Sequence, residues 1–517
     1  MRRLAATAIF LLVVAGCSGG DNRAAEPTST TIAPPEETTT APTTSTTAAP
    51  AAVGGQESLA GSDACGLPAG YPEPWPDRPR YTAHLNVEPG RRLVTGDVTL
   101  RFVPDADTDR LVFRLWPNAP RIGRAGGRLD VTAAQLAGQP VTGRYEAGGA
   151  AAGRPGTIWI LPGTFPAGQP ADVRLEFRLT LPGAINDRVA TVGRSVRLGS
   201  VIPTLSWIRG DGWQISPATQ LNAETAASEA ADWDVTVTAP SGHTTLATGV
   251  EEPPNTPSGP GGGGPAAPPS VTTSANPSTT TRSVARAVRD WAATVAPMRI
   301  GRAAAQGGRT EVVVGVAEGA VGDPNALAAR NAKALDDLAA RFGEYPYPRL
   351  TIGVTTGLTG GIEFPTHIFL GSGVPTVHLV HEVAHQWFYA LIGNDQFRDP
   401  WLDEGFAHYG QARVDGQLAY QRSRPIPAYG RGHLGESMAY WGRSDGSTYY
   451  LSVYVGGAQA LARLGDQLGG YDPLDCAIRR YVRDRAYTVS RPSDFLAAVQ
   501  AQTGTDPRPV LAPSGVR

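Results

Sequence analysis

Two histidines four residues apart, in His381-Glu382-Val383-Ala384-His385, most constrain what this chain can fold into. A pair at i and i+4 shares a face only where the backbone is helical, and on that face both Nε2 atoms can reach one zinc ion (Zn2+) at about 2.0–2.1 Å. Glu382 stands beside them, positioned to take a proton from an attacking water. Chance is a poor rival: with 8 histidines in 517 residues, the pattern would arise on the order of 0.005 times per chain. A catalytic zinc needs three protein ligands and one open position. Glu404, nineteen positions after His385, is the candidate, brought back by the next helix; Asp399 can cap that helix and Pro400 suits its first turn.

The rest of the chain is built in blocks. Met1-Arg2-Arg3 precedes an apolar run from Leu4 to Gly16, too short to span a bilayer and of the size of a signal-peptide core. The run ends in Val14-Ala15-Gly16-Cys17, which resembles a bacterial lipobox. On that reading residues 1–16 are removed and Cys17 carries the lipid, tethering the chain to the outer face of the cell membrane; the alternative is an ordinary secretory signal. Residues 17–75 read as a stalk. Their most biased part, Ala24–Gln56, is Thr, Pro, Ala and Ser and cannot bury enough surface to offset ordering entropy. Cys65 and Cys476 either close a long-range disulfide or are two unrelated buried thiols.

From Tyr81 onward short runs alternate apolar and polar residues with turn signals between them: Tyr81–Val87, Leu93–Val103, Arg110–Trp116, Thr157–Leu161, Val173–Leu181 and Trp233–Ala239. Period two implies an antiparallel sheet domain, a saddle or sandwich, over 76–299. A Pro/Gly/Ser/Thr stretch at about 251–281 reads as a flexible loop within it. After residue 300 helical spacing over Asn325–Phe342 and strands at Arg349–Thr355 and His367–Leu370 mark a mixed domain to residue 517. Three more helices follow, at Thr376–Ile392, Pro400–Tyr420 and Val453–Leu468. The predicted class is α+β multidomain. Formal charge is −2, and the cations are nearly all scattered Arg, Lys333 being the sole Lys, so there is no nucleic-acid footprint.

The segment Trp401-Leu402-Asp403-Glu404-Gly405-Phe406-Ala407, whose Glu404 follows His385 after eighteen intervening residues, together with His385-Gln386-Trp387-Phe388 resembles the gluzincin aminopeptidases of the M1 family, with Asp403 where they usually have Asn. Gly360-Gly361-Ile362-Glu363-Phe364 is similar to their Gly-x-Met-Glu-Asn exopeptidase motif, with Ile for Met and Phe for Asn. Tyr454-Val455-Gly456-Gly457-Ala458 is similar to the setting of their transition-state tyrosine; Tyr449 and Tyr450 are rivals lacking the Gly-Ala that follows. The resemblance implies a β saddle before a thermolysin-like zinc peptidase domain. It implies zinc on His381, His385 and Glu404, Glu382 as base, Tyr454 as oxyanion donor, and Glu363 with Gly360 and Gly361 holding a peptide's N-terminus. It also implies an open cleft, because the chain stops too soon after Tyr454 for a roofing helical domain. A zinc endopeptidase and a non-catalytic surface peptide-binding protein are the alternatives. His378 and His408 read first as packing residues, with His408 a candidate to support Glu404.

Overall fold

The structure is a computed structural model that describes residues 63–146, 155–221, 227–253 and 277–517. The chain divides into two compact units, 1–69 and 70–517. In the first, Asp63 Oδ1 accepts from the backbone N–H of Cys65 and of Leu67, closing a turn. Cys65 and Cys476 are both disulfide-bonded. Cys17 and the Ala24–Gln56 stretch lie outside the described residues. Among the described residues no helix is long and apolar enough to cross a membrane.

The second unit begins with β structure. An eight-stranded sheet runs in the order Val250–Glu252, Ser278–Val288, Ala231–Pro240, Arg80–Glu88, Leu93–Phe102, Ala171–Thr180, Arg128–Leu136, Gln139–Pro140. It is antiparallel except where Arg80–Glu88 pairs with Ala231–Pro240. Tyr81, Ala83, Leu85 and Val87 turn inward on one strand and Trp233, Val235 and Val237 on its neighbour, as period-two patterning requires. Tyr81 stacks on Trp233 with centroids 4.0 Å apart. Two four-stranded sheets pack with it; one contains Ser195–Gly199 and Ala292–Ala296, the other Thr108–Arg114 and Ile158–Phe165. The expected loop at 251–281 is shorter than its composition suggests. Val250–Glu252 and Ser278–Val288 are paired strands, and Thr279, Thr280 and Thr281 also pair with Ala239, Thr238 and Val237. These β-branched residues suit a sheet better than their Pro-rich flank implies.

A five-stranded sheet follows, in the order Met298–Ala305, Thr310–Ala317, Arg349–Thr355, His367–Gly371, Gly361–Phe364. The central pairs are parallel and Gly361–Phe364 is an antiparallel edge strand. Helix Pro324–Phe342 covers it with Ala328, Ala332, Leu335, Leu338 and Phe342. Asp323 caps that helix by accepting from Asn325 N and Ala326 N, and Gly343 ends it at φ 104°.

Three helical expectations need correction. Helix Thr376–Ala384 stops at His385 rather than at Ile392; the chain turns through Tyr389, φ 142°, to pair Gly393–Asn394 with Val489–Ser490. Helix Trp401–Val414 has Pro400 as its N-cap, and Asp399 makes no side-chain cap; a break at 415–417 precedes Leu418–Ser423. Val453–Leu468 divides into a π-helical turn, Tyr450–Val455, and helix Gly456–Gln467.

Candidate active site

Glu404 lies in the first turn of Trp401–Val414, a helix buried on nearly every side, which packs on Thr376–Ala384 and on Gly456–Gln467. The second contact depends on two glycines. A Cβ on Gly405 would lie 3.1 Å from the Gly457 Cα, and one on Gly457 would lie 2.6 Å from the Gly405 Cα, so neither position accepts a side chain without separating the helices. That approach carries Tyr454 to the ligands. Its hydroxyl donates to Glu404 Oε1 at 2.5 Å, and its ring lies along His381 at 5.5 Å.

Three donors converge. Nε2 of His381 is 3.2 Å from Nε2 of His385 and 3.2 Å from Oε2 of Glu404, which is 3.3 Å from Nε2 of His385. A tetrahedron with zinc–ligand bonds of about 2.0–2.1 Å has edges of about 3.3–3.4 Å. The three atoms thus stand at the spacing of three tetrahedral corners, and two imidazoles with one carboxylate are a donor set that zinc takes. The residues fit the metal.

Glu382 and Glu363 complete the cleft. Glu363, Glu382 and His385 each present an atom within 4.8 Å of the others. Gly361 makes room for the base: a Cβ there would stand 2.3 Å from Glu382 Cγ. Gly360 turns the chain into the edge strand at φ 84°. Glu363 is 5% exposed and Glu382 6%, so two carboxylates share a desolvated cleft with Glu404.

Charge in the cleft is unbalanced toward the acids. Burial alone would depress His385, but the carboxylates of Glu363, Asp403 and Glu404 hold its pKa well above the ordinary histidine value. Burial would raise Glu404, yet His385 and His381 hold it well below the usual carboxylate range. His381 is pushed down, chiefly by burial. Tyr454 is pushed well up by burial and by Glu404, so its phenol keeps its proton.

The sequence-derived residues His381, His385, Glu404, Glu382, Glu363, Gly360, Gly361 and Tyr454 therefore surround one cleft. Tyr449 and Tyr450 stand farther back; the Tyr450 hydroxyl accepts from Arg424 Nη1 at 3.4 Å. His408 is buried, its ring 5.9 Å from His381 and 6.4 Å from Tyr454, and burial lowers its pKa to about 3. His378 Nδ1 is buried close to Gly360. Sequence reading assigned no role to Asp403 or Gln386. Asp403 stands against His385, and Gln386 donates to Phe364 O at 3.0 Å while accepting from Thr366 N at 2.9 Å. Their position inside the matched motifs was the available signal.

The fold is similar to that of solved M1 zinc metallopeptidases. Residues 374–432 match the Peptidase family M1 domain. The membrane alanyl aminopeptidase of Manduca sexta is 29% identical over 140 residues, 24% of this chain and 14% of that protein. Aminopeptidase B of Homo sapiens is 27% identical over 159 residues, 26% and 24% of the two chains. The alignments span about a quarter or less of these relatives' length. The M1 zinc metallopeptidase from Deinococcus radiodurans superposes with a TM-score of 0.61 at 20% identity, over 85% of this chain and 93% of that one. The two relatives are named as aminopeptidases and the superposed structure as a zinc metallopeptidase.

Proposed function

We propose that the protein is a zinc aminopeptidase that removes N-terminal residues from peptides. The observation that carries this reading is Glu363, a buried carboxylate on an edge strand beside both Glu382 and His385. A buried acid there offers a charge-assisted partner to a free α-ammonium, holding the first peptide bond against the base. Bound at His381, His385 and Glu404, zinc supplies Lewis acidity toward a carbonyl and lowers the pKa of water. Glu382 accepts the proton of the attacking water and passes it to the leaving amine. Tyr454, protonated at neutral pH, donates a hydrogen bond where negative charge develops on the scissile carbonyl oxygen. Gly360 and Gly361 stand at the head of the edge strand, along which a peptide would lie. For the Deinococcus enzyme a Tyr-Ser-Ala substrate is named, and a short peptide suits this cleft by analogy.

The N-terminal sequence supports a location: Cys17, lipidated after removal of 1–16, would tether the enzyme outside the cell membrane through the 17–75 stalk.

A set of single-residue aminoacyl anilides, together with peptides in free and N-acetylated form, tests the activity. Free peptides should shorten one residue at a time while acetylated copies survive, and Glu363→Ala should lose most activity together with that discrimination. Internal cleavage of acetylated peptides at comparable rates would replace this reading with the endopeptidase one.

A further inference from the structure

The strand bearing Glu363 is short and has one neighbour. Among the described residues Gly361–Phe364 pairs only with His367–Gly371, at the edge of its sheet. Four residues held from one side open easily, yet a misplacement of about 1 Å at a substrate-positioning group can cost roughly 100-fold in rate. Something else must hold the strand still.

Side chains grip it at both ends. Beyond its C-terminal end, Gln386 binds Phe364 O and Thr366 N, and Thr248 Oγ1 from the β domain donates to Pro365 O at 2.9 Å. Before its N-terminal end, Asn186 Oδ1 from the β domain accepts from Thr359 N at 2.9 Å. The strongest grip is Arg197, on strand Ser195–Gly199 of that domain. Its Nε donates to Asp187 O at 3.1 Å and its Nη2 to Ile185 O at 2.6 Å, anchoring the guanidinium at home. Nη1 then reaches Thr355 Oγ1 at 3.0 Å and Thr356 O at 3.1 Å, and Nη2 reaches Gly357 O at 3.2 Å.

All five N–H bonds of this side chain are therefore used, three of them on the segment that leads into Gly360. Arg197 is 1% exposed, and burial draws its pKa down to about 10, so it remains a cation at neutral pH. Burying a cation among carbonyl oxygens is costly where an apolar side chain could fill the space. The rigid fork is what an apolar residue, or a lysine, cannot reproduce.

We propose that Arg197 is a positioning residue for Glu363: acting from the β domain through Thr355–Gly357, it sets the place of the edge strand against the metal-ligand segment and so the recognition of the substrate's α-ammonium. This rests on the aminopeptidase reading above. The β domain is then part of the specificity machinery and more than a support for the catalytic domain.

The test uses the full chain with Arg197→Lys and, as a milder change at the same segment, Asn186→Ala. Hydrogen exchange of the peptide spanning 355–364 is read beside kcat and KM for a free and an N-acetylated peptide, zinc content and the thermal midpoint. Arg197→Lys should exchange faster at 355–364 than wild type while keeping its zinc. KM for the free peptide should rise roughly 10-fold with kcat less affected, and the preference for free over acetylated peptide should shrink by the same factor. Asn186→Ala should move all three in the same direction by less, and it alone decides if Arg197→Lys does not fold. Unchanged exchange at 355–364 in the folded variants overturns the proposal whatever the activity. So does an intact preference accompanied by a lower thermal midpoint and lost zinc, which is the mark of a merely structural arginine. If wild type itself shows no preference for free amines, the aminopeptidase reading fails, and exchange still decides whether Arg197 holds the strand.

Discussion

Asp403 Oδ1 stands 2.6 Å from Nδ1 of His385, the nitrogen opposite the one that faces His381 and Glu404. Gln396 Nε2 donates to the other oxygen of Asp403 at 2.5 Å, and Asp403 is 1% exposed. The Nδ1–H donates to Phe388 O at 3.0 Å, which fixes the His385 tautomer with Nε2 free to bind a metal, and the adjacent carboxylate charge makes that Nε2 a better donor. His381 has no such support: its Nδ1 lacks a hydrogen-bond partner among the described residues. Replacing Asp403 by Asn keeps the shape and removes the charge. Asp403→Asn should bind zinc about 10-fold more weakly, the low end of what such outer partners contribute, in a chelator competition read by free-zinc indicator. Equal affinity would show that the carboxylate is a packing feature only.

The ligands and the base separate in the same measurement. Glu404→Ala leaves two protein ligands and should lose most of the zinc, whereas Glu382→Ala should retain one zinc per chain and lose turnover. Equal zinc in wild type and Glu404→Ala would refute the ligand assignment.

Tyr454 contributes one donor that matters chiefly as charge develops. Tyr454→Phe should lower kcat by roughly 100- to 1000-fold with KM little changed. Tyr450→Phe, altered at a ring 5.1 Å behind it, should change kcat far less; the reverse result would reassign the role.

A pH-dependent cost sits away from the cleft. Burial raises the Glu229 carboxyl to about 7, against the pull of Arg209, whose backbone N–H it accepts at 2.5 Å. A folded-state pKa above the unfolded one means that the folded protein binds the extra proton, so this contribution is whole below the unfolded value of 4.5 and is lost as pH rises to about 7. Glu229→Gln, which stays neutral, should flatten that part of the stability profile. Thermal or denaturant unfolding at pH 5 and pH 8 should show the variant gaining on wild type by about 1–3 kcal/mol at the higher pH. A parallel profile for the two proteins would place the titration elsewhere.

Anchoring is tested by Cys17→Ala, which should abolish acylation and move the protein out of the membrane fraction. Unchanged fractionation, with no lipid mass on the wild type, would exclude the lipobox reading.

Much of this molecule was legible in one dimension because the signals are local. Helical period announces the helix over Asn325–Phe342, alternation announces the strands of the large sheet, and His381 and His385 four residues apart can share a metal only on a helix. Glu404, Glu363 and Tyr454 were legible only through the motifs around them, since no local rule tells a residue which distant side chain it will meet. The errors fall where long-range contacts override local preference. Helix Thr376–Ala384 ends at its second histidine because the chain must turn to pair with Val489–Ser490, and Thr279–Thr281 become strand because a neighbour is there to receive them. By itself, then, the sequence determined most of the elements and the two histidine donors, which follow from spacing along the backbone, and its motifs pointed to the class of chemistry. Tertiary structure alone decided that Gly405 meets Gly457, that Asp403 supports His385, and that Arg197 reaches from one domain to the segment leading into the strand of Glu363. These partners are 18 to 160 residues apart, and only the packed chain fixes which of the many possible pairs are made.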